Sequence, residues 1–222
     1  MSFSEQYGPW AVIAGGSEGI GACFARAFAA QGINIVLLAR GAAGIEAVAA
    51  ELRAAYDTIE VRTLAVDLTA PDMLNQIRGV TAGLEVGTLI YNAGAAQGPG
   101  WFLEEPVETA QQLVALNQTG LIALTHHFGH GMAKRGRGAI VMVGSAGCAA
   151  GSKRLATYAA VKAFTQIFAE GLWAELTPQG VDVVGLIIGR TRTPALLRTE
   201  LDNPAEIAAS EPADVVSYAI AN

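Results

Sequence analysis

Six short runs along the chain are almost unbroken in apolar character: WAVIAG (10–15), INIVLLA (33–39), EVRTLAVD (60–67), GTLIYNA (87–93), AIVMVGS (139–145) and VDVVGLII (181–188). Most lack the strict alternation of a strand with one wet face, and they predict parallel strands buried on both faces. Between them apolar residues recur at helical spacing, predicting helices over 19–31, 43–55, 71–79, 106–132 and 156–176. Ser210, Glu211 and Pro212 read as the start of one more helix. Strands alternating with helices imply βαβ units with right-handed crossovers, hence an α/β fold with an open, doubly wound parallel sheet. Ligands of such sheets bind beyond the carboxyl ends of the strands, so chemistry is to be sought just after each run.

Composition narrows the class. No linker, charge block or internal repeat divides the 222 residues, so one domain is expected over 1–222. Hydrophobic residues make up 52% and charged ones 15%, which suits a sheet covered on both sides. A net charge of −6 with 14 scattered Lys and Arg leaves no nucleic-acid footprint. The opening MSFSEQYGPW lacks the basic and apolar regions of a signal peptide. The apolar runs fall well short of the ~20 residues of a membrane span. A soluble, cytoplasmic protein without membrane contact is expected. Cys23 and Cys148 are too few for a disulfide framework and read as buried thiols among small apolar neighbours.

The strand ends carry the candidate chemistry. The first strand runs into AGGSEGIGACFARAF, with Gly15, Gly19 and Gly21 spaced G-x-x-x-G-x-G at a strand-to-helix turn. Glycines there let the backbone approach a diphosphate, and the free N–H groups of the next helix attract anions. Nucleotide binding is favoured over a tight packing turn, although the spacing is neither G-x-G-x-x-G nor a P-loop. At the end of the second strand, where a carboxylate would hold the ribose hydroxyls of NAD, stands Arg40, and 33–41 contains no Asp or Glu. A guanidinium there suits a 2′-phosphate. NADP(H) is therefore favoured and NAD(H) is the other candidate, with Glu18 in the glycine loop counting mildly against NADP. Asp67 and Leu68 close the third strand. Asp67 stands equally as a cap for a helix begun by Thr69 and Pro71 or as acceptor from an adenine amino group. Asn92, Ala93 and Gly94 close the fourth, small enough to pass close to a cofactor or simply to turn.

In TYAAVKAF, Tyr158 and Lys162 lie one helical turn apart on one face. Taken alone the pair is common, and a core tyrosine beside a solvated lysine is the simpler explanation. His126 and His130 are also four apart, but with no third ligand evident a polar helix face is favoured and no metal is expected. Trp101 and Trp173 read as packing or interface residues.

Together these residues resemble the short-chain dehydrogenase/reductase family over nearly the whole chain. GGSEGIG is similar to that family's cofactor loop, with Ser17 and Ile20 joining the three glycines. YNAG (91–94) resembles its Asn-Ala-Gly signature and NQTG (117–120) its helix asparagine. Ser145 precedes Tyr158 by 13 residues, the family's separation of serine and tyrosine, and Tyr158 and Lys162 match its Tyr-x-x-x-Lys. Two departures stand out. Ile188-Gly189 replaces the family's Pro-Gly, removing a fixed φ, while Gly189 and Thr193 still fit. The chain also ends at Asn222 in the helix that precedes the family's last strand, so a seventh strand is expected to be missing.

The resemblance implies a Rossmann-like fold and an NAD(P)(H)-dependent oxidoreductase interconverting a secondary alcohol and a carbonyl. Tyr158 would be the acid/base and Ser145 would hold the substrate oxygen. Lys162 would bond the nicotinamide ribose, Asn117 would position a relay water, and Thr193 would contact the carboxamide. A phenol titrates near pH 10 and a neighbouring ammonium favours its phenolate, which gives the lysine a physical purpose. The resemblance also implies pairing of subunits, a homodimer or homotetramer, through 106–132 and 156–176, and a substrate lid over 190–210. That lid holds Arg190, Arg192 and Arg198 with Leu196, Leu197 and Leu201, and hints at an apolar carbonyl substrate. The alternatives are a non-catalytic nucleotide sensor or scaffold on the same fold and, disfavoured by the glycine spacing, a sugar-nucleotide epimerase or dehydratase.

Overall fold

All six apolar runs become strands of one sheet. The computed structural model describes residues 2–94, 100–198 and 208–221. Its strands are β1 (Trp10–Ala14), β2 (Asn34–Ala39), β3 (Val61–Ala65), β4 (Val86–Tyr91), β5 (Gly138–Val143) and β6 (Val181–Leu186). They pair in the order β3-β2-β1-β4-β5-β6, every pairing parallel. The order reverses between β1 and β4, the switch point where a crevice opens beyond the strand ends. Among the described residues no seventh strand occurs.

The helices are α1 (Phe3–Tyr7), α2 (Gly19–Ala29), α3 (Ala42–Ala55), α4 (Met73–Val80), α5 (Val107–Val114), α6 (Gly120–Arg135), α7 (Ala156–Leu176), α8 (Pro194–Leu197) and α9 (Pro212–Ala221). Strand side chains alternate between two cores. Val12, Val36, Leu38, Leu89, Ile140 and Met142 share one with residues of α4, α6 and α7. Ala11, Ile13, Ile35, Leu37, Ile90 and Val141 share the other with α2, α3 and α9. Burial on both faces is why the runs read as continuous rather than alternating.

The differences from the sequence reading lie mainly at ends. Regular pairing of β4, β5 and β6 stops before Asn92, Gly144 and Ile187, which frees those residues as loops at the crevice. The expected helix over 106–132 keeps its course but contains a π-helical turn, Ala115–Thr119, between α5 and α6. It ends at Gly136, whose φ of 68° is the left-handed cap glycine tolerates. Helix α1 was not foreseen, although Ser2 and Glu5 spell its capping box: Glu5 N–H donates to Ser2 Oγ at 3.3 Å and Ser2 N–H to the Glu5 carboxylate at 2.6 Å. The two thiols are half-buried, not buried. Cys23 sits beside the inward stripe of α2 rather than on it, and Cys148 sits in the turn after β5, donating to Gln166 Oε1 at 2.8 Å.

Candidate functional site

The glycine loop leaves β1 at a position where side chains do not fit. Gly15 has φ 83°, and a Cβ there would stand 2.8 Å from the Ala93 nitrogen. Asn92 donates from Nδ2 to Gly15 O at 2.8 Å, so the Asn92–Ala93 turn braces the loop from the next strand. Gly19 has φ 55° and opens α2; a Cβ on Gly21 would collide with Gly15 O. Gly16, overlooked in the sequence, is close-packed but less constrained: its missing Cβ would stand 2.7 Å from Leu37 Cδ2, the end of a flexible side chain. No side chain caps α2, whose N-cap residue is Glu18. The first-turn N–H groups around Gly19, Ile20 and Gly21 therefore remain available to an anion. The residues present fit a dinucleotide diphosphate at this turn.

The neighbouring turn after β2 has the same character. Helix α3 has Gly41 as its N-cap residue, without a side-chain cap, directly after Arg40. Ser17 reaches this turn from the glycine loop, its Cβ 3.0 Å from where a Cβ of Gly44 would be. Asp67 faces the same end of the sheet but caps no helix: its carboxylate accepts from Thr69 N–H at 2.9 Å and Thr69 Oγ1 at 2.8 Å, and α4 begins later, at Met73. These bonds, with a weaker pull from Arg40, hold the carboxyl below its ordinary value. The cap reading of Asp67 is thus corrected, because the chain turns locally before the helix forms. Leu68 is buried in the core below it.

Beyond β4 and β5 lies the second half of the site. Lys162, expected to be solvated in the simpler reading, is buried on α7 and donates to Val143 O at 3.2 Å. Burial lowers its pKa to about 8. Its Nζ lies 6.0 Å from the centre of the Tyr158 ring. Gly94 brings three elements together: a Cβ there would be 3.2 Å from both Asn117 Oδ1 and Lys162 Nζ. Asn117 is buried in the π turn and donates from Nδ2 to Leu113 O at 3.0 Å. That turn is held from β4, where the Tyr91 hydroxyl donates to Leu116 O at 2.5 Å and presses on Gly120, which has no Cβ to clash. Such π turns often accompany functional sites. Ser145 follows β5 and accepts from Gly147 N–H at 3.2 Å. A Cβ on Gly147 would stand 3.5 Å from Ser145 Oγ and 3.4 Å from Tyr158 Cε1, so the serine and tyrosine flank one glycine.

The segment after β6 completes the rim. Ile188, in the position of the family's proline, packs on the α2 core and its carbonyl accepts from Ala146 N–H at 2.8 Å. A Cβ on Gly189 would meet open space. Thr193 caps α8, accepting from Leu196 N–H at 3.1 Å, and its methyl stands 3.0 Å from a would-be Cβ of Gly19. Arg192 pairs with Glu211 at 2.9 Å and Arg198 pairs with Glu18. The expected lid lies partly outside the described residues, Leu201 included.

Every predicted site residue thus lies at the carboxyl edge of the sheet, and the four catalytic candidates gather around Gly94 and Gly147. Tyr91, Gly120 and Gly147 were missed as contributors. Tyr91 and Gly120 stand inside YNAG and NQTG, but only packing reveals their purpose. The ring centres of His126 and His130 lie 4.6 Å apart at a tilted angle of 48°. Trp101 and Trp173 are exposed rather than packed in this chain, and the Lys153 ammonium lies 4.8 Å over the Trp101 ring. Among the described residues no helix is long and apolar enough to cross a membrane.

The family model for short chain dehydrogenase matches residues 9–203. A very-long-chain 3-oxoacyl-CoA reductase of Bos taurus is 33% identical over 183 residues, 81% of this chain and 58% of the relative. The chain therefore spans little more than half the length of that relative. A 7beta-hydroxysteroid dehydrogenase of Collinsella aerofaciens is 30% identical over 197 residues, 89% of this chain and 74% of the relative. A short-chain dehydrogenase from Sphingobium yanoikuyae, solved in complex with NADPH, superposes with a TM-score of 0.87 at 35% identity, covering 96% of this chain and 83% of that one.

Proposed function

Because the chain belongs to the short-chain dehydrogenase family, we propose that it is an NADP(H)-dependent oxidoreductase interconverting a secondary alcohol and a ketone or aldehyde. The observation that carries the reading is the meeting of Asn117 and Lys162 at Gly94, beside a Ser145–Tyr158 pair that flanks Gly147. When bound, the nicotinamide supplies or accepts the hydride. The chain supplies the rest. Ser145 Oγ donates to the substrate oxygen, a bond that strengthens as negative charge develops there. The Tyr158 hydroxyl delivers the proton in reduction and removes it in oxidation. Lys162 places a positive charge near that exchange, and Asn117 holds the path by which the proton is replaced.

Several features support NADP(H) over NAD(H). Arg40 follows a strand without a single carboxylate, and the uncapped start of α3 and Ser17 lie beside it. The substrate is a carbonyl compound with an apolar body. A cavity of about 240 Å³ lies between the starts of α5 and α7, with Phe102, Leu103, Val107 and Ala110 on its apolar side, Glu105 and Arg154 at its charged side, and Thr157 at its edge. Its last lining residue directly precedes Tyr158. Relatives named for 3-oxoacyl-CoA and a hydroxysteroid support the same class. Exposed Val114, Ile122, Ile167 and Trp173 on α5, α6 and α7 form the surface through which two copies would pair, and the reading includes a cytoplasmic location.

The test is consumption of NADPH with a panel of bulky apolar ketones, followed by absorbance of the reduced nicotinamide. Turnover with at least one is expected. NADPH binding with no turnover across the panel would turn the reading toward a non-catalytic sensor. Light scattering tests the pairing, with a monomer mass counting against it.

A further inference from the structure

The glycine loop of this chain carries a carboxylate where a polyanionic cofactor has to sit. Glu18 is the N-cap residue of α2, yet its side chain makes no bond to its own helix. It turns outward to Arg198, whose Nη1 donates to Glu18 Oε2 at 3.0 Å while Nη2 donates to Oε1. The contact is a two-pronged guanidinium–carboxylate pair between residues 180 apart in sequence. What brings them together is the seating of α8 on the loop. Thr193 Cγ2 and Pro194 Cδ lie 3.0 and 3.9 Å from the position of a Gly19 Cβ, and Arg198 follows within one turn.

The pair is poorly placed to stabilise the fold. The two side chains keep 62% and 37% of their accessible surface, and exposed pairs contribute little. It is well placed to act on charge. Glu18 follows Ser17, which lies against the first turn of α3 beside Arg40, where the proposed ribose phosphate would bind. An uncompensated carboxylate there repels the diphosphate at α2, and repels a phosphorylated ribose more strongly because that group adds further negative charge.

We propose that Arg198 is a cofactor-specificity residue acting through Glu18: by cancelling that carboxylate it lets the loop accept the 2′-phosphorylated dinucleotide. The inference rests on the oxidoreductase reading above and assigns a positioning role to a residue outside the catalytic set. It also removes the objection Glu18 raised to NADP, since the carboxylate is already partnered from the far side of the crevice.

Titration of reduced-nicotinamide fluorescence tests this without turnover. Arg198→Ala should weaken NADPH binding by on the order of tenfold and NADH binding by no more than about threefold, the difference shrinking at high salt. Glu18→Gln combined with Arg198→Ala should return NADPH affinity to near the wild-type value, and Arg198→Lys should keep the preference because it keeps the charge. An equal loss for both dinucleotides, or no recovery in the double variant, overturns the proposal; both outcomes would make the pair a mechanical strap. Circular dichroism of each variant guards against a folding defect, and the double variant stays informative where one single variant folds poorly. Wild-type protein that binds neither dinucleotide defeats the underlying functional reading. Wild-type protein that binds NADPH while Arg198→Ala is indifferent defeats only this inference.

Discussion

The two halves of the crevice solve the placement of charge in opposite ways. Around Gly94 the charged group is buried: Lys162 has lost most of its water, keeps one backbone carbonyl at 3.2 Å, and burial holds its pKa down to about 8. Around Gly19 the charged groups are exposed, and Glu18 and Arg198 answer each other in solvent. Burial makes a charge energetically expensive and geometrically fixed. Exposure leaves it cheap, screened and adjustable. The first arrangement suits a step in which a proton moves at a defined atom. The second suits discrimination between ligands that differ in charge. Substitutions on the buried side should therefore produce large effects on rate and folding, while those on the exposed side should leave the fold nearly untouched.

The largest effect is expected at Tyr158. Tyr158→Phe removes the proton donor but keeps the ring against Gly147, so turnover should fall by about 10³-fold or more while NADPH affinity stays within a small factor. Single-turnover kinetics beside a binding titration separate the two. Substantial remaining turnover would place the proton transfer elsewhere and dissolve the buried half of the comparison.

Lys162→Met comes next, with opposite signs in activity and stability. Burial depresses the folded value from 10.5 to about 8. Between those values the unfolded chain holds a proton that the folded chain has released, so stability rises with pH across that window. Below about pH 8 both states are protonated, and the folded protein carries the whole desolvation cost. At about 1.4 kcal/mol for each pH unit, that cost is about 3 kcal/mol. Without bound cofactor, Lys162→Met should therefore be the more stable protein at pH 7 by up to that amount, with the advantage fading toward pH 10, and it should be inactive. Denaturant melts at pH 7 and pH 10 decide this; a destabilised variant at pH 7 would mean that the lysine is better solvated than its burial implies.

The sequence made the exposed and buried halves unequally legible. The strands, their parallel direction and the crevice followed from runs such as INIVLLA and from glycines placed at a strand-to-helix turn. Tyr158 and Lys162 became meaningful through their separation from Ser145, because spacing along a helix or between strand ends survives folding as distance. Contacts between segments far apart in the chain did not show. Nothing in NQTG announces a π turn, since the extra residue is accommodated by the Tyr91 hydroxyl arriving from β4. The pairing of Glu18 with Arg198 was equally hidden, and it changed the meaning of a carboxylate that had read as an obstacle to NADP. The lysine burial was hidden for the same reason: one polar residue in an apolar helix looks identical whether it faces water or a strand end.

Gly94→Ala probes the buried half with a single methyl. The added carbon would lie 3.2 Å from both Asn117 Oδ1 and Lys162 Nζ, tight enough to push each by a few tenths of an ångström. Misplacement of that size should lower kcat about tenfold while cofactor-free stability changes by less than about 2 kcal/mol. An unchanged kcat would show that the node tolerates slack, weakening the claim that its geometry matters.

The smallest effect belongs to the exposed pair. Breaking it by Arg198→Ala should move the unfolding free energy by no more than about 1 kcal/mol, because both side chains already compete with water and salt for their charge. Added salt should shrink even that difference, as screening reaches an exposed pair far more readily than a buried charge. A loss of several kcal/mol would mean that α8 is held onto the glycine loop mainly by this pair. The contrast would then lie between two structural charges, and the exposed half would no longer be the adjustable one.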